Sequence, residues 1–113
     1  MDCLFCKIAE KTIPAQIIFE NDKILAFRDI SPKAPVHVLI IPRKHIPGMN
    51  DITPADVVLL GEIQTAAREI ARSENISENG YRLVLNCGKD AGQAVAHLHY
   101  HLLGGRKFGW PPG

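Results

Sequence analysis

Apolar and polar positions along the 113-residue chain change period several times, and each change marks an element. Gln16-Ile17-Ile18-Phe19-Glu20 predicts a short strand, and Asn21-Asp22 supplies turn chemistry. Ile24-Leu25-Ala26-Phe27 then predicts the second strand of a hairpin. Val36-His37-Val38-Leu39-Ile40-Ile41 is nearly continuous in apolar, β-branched residues between Pro35 and Pro42, the pattern of a central, buried strand. Beyond Thr53 the period becomes helical, with Val57, Leu60, Ile63, Ala67, Ile70 and Ala71 forming one buried stripe. Thr53 suits the cap, Pro54 the first helical position, and Asp56 the positive end of the dipole. Asn79-Gly80 ends this region, and residues 81–86 and 97–103 predict two further strands. The sum is an α+β fold, an antiparallel sheet of about five strands with one long helix.

Length and composition narrow the reading. Residues 1–113 suit a single domain, and 46% hydrophobic residues are enough for a core without staples. No repeat, low-complexity tract or linker divides the chain. Charged residues make up 22% with a net charge of +1, which argues against a broad nucleic-acid or membrane surface. A single nucleotide needs only a few local donors and is not excluded. No apolar run approaches the roughly 20 residues of a membrane helix. The first residues lack the basic-then-apolar order of a secretory signal. Three cysteines, an odd number, argue against a disulfide framework, so a reducing cytoplasm is expected.

The candidate chemistry lies in His97-Leu98-His99-Tyr100-His101. On a strand the three histidines share one face at roughly 6.6 Å spacing, and Leu98, Tyr100 and Leu102 take the other, under the helix. Imidazoles titrating near neutrality can divide the roles of nucleophile, proton carrier and donor. Two imidazoles at this spacing also suit a zinc pair, and a surface accident is the bland alternative. Upstream, residues 86–93 form a polar, glycine-bearing loop of the sort that lets backbone amides approach a phosphate, or else an ordinary strand connection. His37 reads as a satisfied core or interface histidine, and Arg43 and Lys44 as solvated charges or, alternatively, as charges that steer a phosphate. Cys3-Leu4-Phe5-Cys6 alone reads as a redox pair, a metal half-site or two small buried residues.

The run His97 to Leu103 resembles the histidine-triad (HIT) motif, His-φ-His-φ-His-φ-φ. The likeness extends over nearly the whole chain, through Phe27-Arg28-Asp29-Ile30-Ser31-Pro32, Ile41-Pro42-Arg43-Lys44-His45-Ile46, Asn86, Gly92-Gln93 and the tail from Gly104 to Gly113. It is nearest the Hint branch of purine-nucleotide phosphoramidases. The resemblance implies a HIT-like fold with a short N-terminal helix in addition to the long one. It implies hydrolysis at an α-phosphate through a nucleotidyl-histidine, releasing AMP or GMP. Dinucleoside polyphosphate hydrolysis and a regulatory nucleotide-binding module are the alternatives.

By position, the resemblance makes His99 the nucleophile, His101 a phosphate contact and His97 a supporting residue behind them. Asn86, Gly92, Gln93 and Val95 would surround the phosphate, and Asp29 would hold the ribose hydroxyls. Leu4, Phe5, Ile8, Phe27 and Ile30 would line the base slot. The chemistry needs no cofactor. Relatives with an N-terminal cysteine pair imply a structural zinc on Cys3, Cys6, His45 and His97. A homodimer is implied too, with the Trp110 tail reaching toward the partner's site. Ala94 stands where many Hint enzymes carry a serine that assists the leaving group, and Ala96 where an aromatic residue is common.

Overall fold

The computed structural model describes residues 2–113. Five strands, β1 (Ile17–Glu20), β2 (Ile24–Arg28), β3 (Val36–Pro42), β4 (Tyr81–Leu85) and β5 (Tyr100–Gly104), form one antiparallel sheet in the order β1-β2-β3-β5-β4. A short helix α1 (Leu4–Ala9) precedes them, and α2 (Val57–Ser73) lies between β3 and β4.

Strand alternation sends side chains to two different cores. On one face Ile24, Ala26, Val38, Ile40, Leu98, Tyr100 and Leu102 pack with Leu60, Ile63, Ala67, Ile70 and Ala71 of α2. The other face carries Leu25, Phe27, Leu39 and Ile41, covered by Cys3, Phe5 and Ile8 of the N-terminal segment. Leu98, Tyr100 and Leu102 therefore lie under the helix as expected. One member of the expected stripe does not: Val57, at the first turn of α2, is 63% exposed, and Ala66 is buried in the stripe.

At about 100° per residue, Val57 lies about a quarter-turn from the centre of the stripe, and a tight turn leads into it. Residues 54–56 form a 3-10 turn closed by a capping box, in which the Thr53 N–H donates to Asp56 Oδ2 at 2.9 Å. Asp56 is buried and also accepts from Lys44 Nζ at 2.6 Å. Lys44 is thus a brace between the end of β3 and the helix, not a free surface charge. Arg43 is similarly spent, donating to the Asn21 and Ala9 carbonyls and to Glu20.

The β3–β5 ladder ends at the pair Ile40 and Tyr100. Continuing it would bring Leu98 opposite Pro42, which has no N–H to give. The Leu98 N–H instead donates to the Ile46 carbonyl at 2.7 Å. His97 and His99 therefore precede the strand on which the sequence pattern puts them. Gly104 closes the other end of β5: a Cβ there would sit 2.5 Å from Ile76 Cδ1, so only glycine lets the strand pass this close.

Candidate active site and metal cluster

The register across the sheet assembles the site. Phe27, Leu39, His101 and Val84 form one cross-strand row, and Asp29 and His37 face each other one step along it. Asn86 follows β4 directly, one residue beyond the Leu85–Tyr100 pair that ends the β4–β5 ladder, as His99 is on the other side.

Hydrogen bonds fix each histidine tautomer, because a ring nitrogen facing a carbonyl must carry the proton and one facing an N–H must not. His99 Nδ1 lies 2.7 Å from the His97 carbonyl and donates to it, so Nε2 keeps a free lone pair. His37 Nδ1 accepts the Lys33 N–H at 3.0 Å, so the His37 proton is on Nε2. That proton points at His101 Nδ1, 2.9 Å away, which leaves His101 with its proton on Nε2. Two neighbouring rings, with centroids 5.0 Å apart, thus present opposite faces: His99 a lone pair, His101 a donor.

Burial favours the neutral forms of His101 and His37. It pushes His101 down to about 4, helped by the His99 and His37 rings and opposed by Asp29. Burial also lowers His37, with the Asp29 carboxylate acting against it. The unfolded chain, whose His101 titrates near 6.5, takes up that proton first as pH falls. The stability that neutral His101 contributes is therefore complete above about 6.5 and lost as pH falls toward 4. Urea denaturation is expected to show a lower midpoint at pH 5 than at pH 7.5 for the parent, and a smaller difference for His101→Gln. Equal differences in the two proteins would contradict a neutral His101.

An apolar wall stands beside the triad. The Phe5 ring stands edge-on to Phe27 at 5.4 Å and to His99 at 5.0 Å. Ile8 is buried in the same cluster, and Val95 packs against it. Leu4 and Ile30 are not packed into this cluster and present apolar surface to solvent, Leu4 half exposed and Ile30 98% exposed. Asp29 Oδ1 accepts the Ser31 N–H at 2.7 Å, which orients the carboxylate and leaves it further lone pairs.

Gln93 has a different place from the one expected. Its Oε1 accepts the Gly88 N–H, and its Nε2 donates to the Pro47 and Val95 carbonyls. The side chain staples the loop together and keeps no donor for a phosphate. Gly92 has φ +79°, a left-handed turn that closes this loop. Ala94 and Ala96 line a cleft of about 490 Å3 with Asp51, Cys87 and Lys89.

Four potential metal ligands meet behind the site. Cys3 Sγ, Cys6 Sγ, His45 Nδ1 and His97 Nδ1 all lie within 4.8 Å of one another. His97 Nε2–H donates to the Pro42 carbonyl at 2.8 Å, so its Nδ1 turns a lone pair toward the cluster. From that nitrogen, Cys3 Sγ is 3.4 Å away, Cys6 Sγ 3.5 Å and His45 Nδ1 3.2 Å. Zinc with two sulfur and two nitrogen ligands would have edges of about 3.3 to 3.8 Å, given bonds of about 2.0 to 2.3 Å. The cluster fits such an ion. Without one, burial and the neighbouring Cys3 push the Cys6 thiol up to about 11. A second group, Asp29, His37 and His101, is equally close but does not fit a cation, because the His37 nitrogen facing it carries a proton.

Sequence reasoning passed over His37. Alternation along β3 was the available signal, since His37 shares a face with Leu39 and Ile41, on the side of Phe27 and the triad.

Comparison with known proteins agrees with this architecture. The model of the HIT domain matches residues 10–108. An uncharacterized HIT-like protein of Synechocystis is 50% identical over 99% of this chain and 97% of its own length. Among solved structures, a HIT family hydrolase from Legionella pneumophila is 55% identical, with a TM-score of 0.98 over 99% of this chain and 100% of that one. A histidine triad nucleotide-binding protein from Candida albicans is 35% identical, with a TM-score of 0.84 over 97% of this chain and 83% of that one.

Proposed function

Because the chain belongs to the HIT domain family, we propose that it is a nucleotide hydrolase acting at the α-phosphate of purine nucleotides, of the phosphoramidase type. One observation carries the reading: His99 and His101 are held in opposite tautomers on one face. Related proteins described as a HIT family hydrolase and a nucleotide-binding protein support it.

In this mechanism His99 Nε2 attacks the α-phosphorus and the bond to the leaving group breaks, giving a nucleotidyl-histidine. Water then attacks the same phosphorus, the P–N bond to His99 breaks, and the nucleoside monophosphate departs. The His101 Nε2–H donates to a phosphate oxygen, with Asn86 and the Val95 amide as further donors where charge develops. Gly92 shapes the loop beside them, and Gln93 holds it. Asp29 accepts from the ribose hydroxyls, while Phe5, Ile8 and Phe27 sandwich the base. An apolar wall selects by shape, so adenine and guanine are weakly distinguished.

Zinc on Cys3, Cys6, His45 and His97 belongs to the same reading. Bound there, it supplies a structural tie and leaves the chemistry to His99. His97 then has two tasks in one residue: its ring faces the metal, and its carbonyl orients the nucleophile.

The direct test compares kcat/KM for adenosine phosphoramidates, acyl-adenylates and dinucleoside polyphosphates. Preference for the first supports the phosphoramidase reading, and preference for the last favours the alternative. His37 is expected to be a positioning residue. His37→Ala should lower kcat about 10²-fold with KM little changed. His37→Gln, which keeps an N–H donor, should recover most of the loss. Equal losses in both variants would mean that His37 is only packing.

A homodimer is part of the proposal. The outer edge of β4, the exposed Val57 and Val58, and Trp110, 82% exposed, are surfaces that a second copy would cover. Sedimentation velocity is expected to show twice the 12.5 kDa chain mass, and a monomer at micromolar concentration would contradict it.

A further inference from the structure

We propose that Cys3 and Cys6 form an oxidation site whose disulfide releases the metal and loosens the base slot. The inference rests on the metal reading above for the state that is oxidised, and on the slot reading for its effect.

The geometry favours this pair over any other thiols in the chain. Cys3 is the residue before α1, and its Sγ accepts the N–H of Cys6 at 3.4 Å. Residues three apart at a helix start have Cα atoms about 5 Å apart, within the range that a disulfide spans. Both sulfurs already face the same point, within 4.8 Å of each other. Side-chain rotation is enough to join them. Cys6 is only half-buried, so a small oxidant can reach it, and Cys87 lies in a separate loop outside the cluster.

The step balances with hydrogen peroxide as the oxidant. One cysteine, as its thiolate, attacks a peroxide oxygen, forming a sulfenic acid and releasing hydroxide. The second thiolate attacks that sulfur, the S–S bond forms, and a second hydroxide leaves. Two electrons pass from sulfur to oxygen, and the metal keeps its charge. A disulfide carries no negative charge for a cation, so only His45 and His97 remain as ligands and the ion dissociates.

The effect on the slot follows from α1. That helix has six residues, too few to persist in water alone, and it is tied at its start by the two cysteines. Phe5 lies between them in sequence and supplies the ring edge against His99 and Phe27. Drawing the sulfurs together and removing the ion shifts that ring. Loss of one aromatic contact of this kind corresponds to roughly tenfold weaker nucleotide binding.

The test uses the whole protein, prepared without chelator and treated with graded hydrogen peroxide. Metal content is measured first, so a sample without metal overturns the metal reading on its own and leaves the thiol outcomes readable. Trypsin cuts after Lys7, which isolates Cys3 and Cys6 in one peptide away from Cys87. The expected result has three parts: a loss of two mass units in that peptide, a matching release of metal to a colorimetric chelator, and a KM raised about tenfold. Dithiothreitol with added zinc should reverse all three. A Cys87→Ser variant should behave as the parent does. The proposal is overturned if both thiols remain free to alkylation at peroxide doses that oxidise Cys87. It is equally overturned if the disulfide forms and KM stays unchanged.

Discussion

His99→Asn is expected to lower kcat by about 10⁴-fold or more, since no other group in the site presents an unprotonated ring nitrogen to the phosphorus. Asparagine keeps an amide that can still donate to the His97 carbonyl, so the pocket should stay assembled. Calorimetric titration with AMP is expected to give a Kd within a few-fold of the parent. Loss of turnover together with intact binding identifies the nucleophile. Hydrolysis at the parental rate would remove His99 from that role, and loss of binding would mean that the substitution had disturbed the slot. Asparagine is preferred to alanine because Phe5 and His101 both stand 5.0 Å from the ring, and a void between them would blur the comparison.

The second large effect concerns stability. If the cluster binds zinc with free ion at about 1,000 times its Kd, occupancy adds about 4 kcal/mol. For a domain near 100 residues that corresponds to a fall in Tm of roughly 15 °C when the metal is stripped. Elemental analysis of protein made without chelator is expected to give one zinc per chain, and a strong chelator should produce the shift in a calorimetric scan. Well under one zinc per chain, or the same Tm with and without chelator, would remove the metal from the account. The fold itself should survive stripping, because the core beneath α2 shares no residue with the cluster.

The fold was largely legible from period alone. Alternation and proline boundaries gave the strands, and Leu98, Tyr100 and Leu102 face the helix as their spacing predicts. The departures have local causes. Pro42 stops the ladder, so His97 and His99 leave the strand that the histidine alternation seemed to extend. Helical phase sets Val57 about a quarter-turn off the buried stripe, so it stays exposed. In the site, the triad and the cysteine pair announced themselves by residue type. Tautomers did not, since they depend on which backbone group each ring meets, and those groups come from Lys33, Pro42 and His97 itself. The role of Gln93 depends on its partners in the same way. An amide four residues from a triad looks like a ligand contact, but this one has three partners within the loop.

The separation of the two sheet faces has a consequence for how this protein can change. Along β3, Val36, Val38 and Ile40 pack on the helix side, while Leu39 and Ile41 pack on the opposite face, where His37 meets His101. Mutations that adjust thermal tolerance can accumulate beneath α2 without altering what the other face recognises. Mutations of the wall around Phe5 can in turn change specificity while drawing on that reserve. A library confined to the face around Phe5 should therefore yield folded variants at a high rate, which makes the sheet a useful starting scaffold for directed evolution.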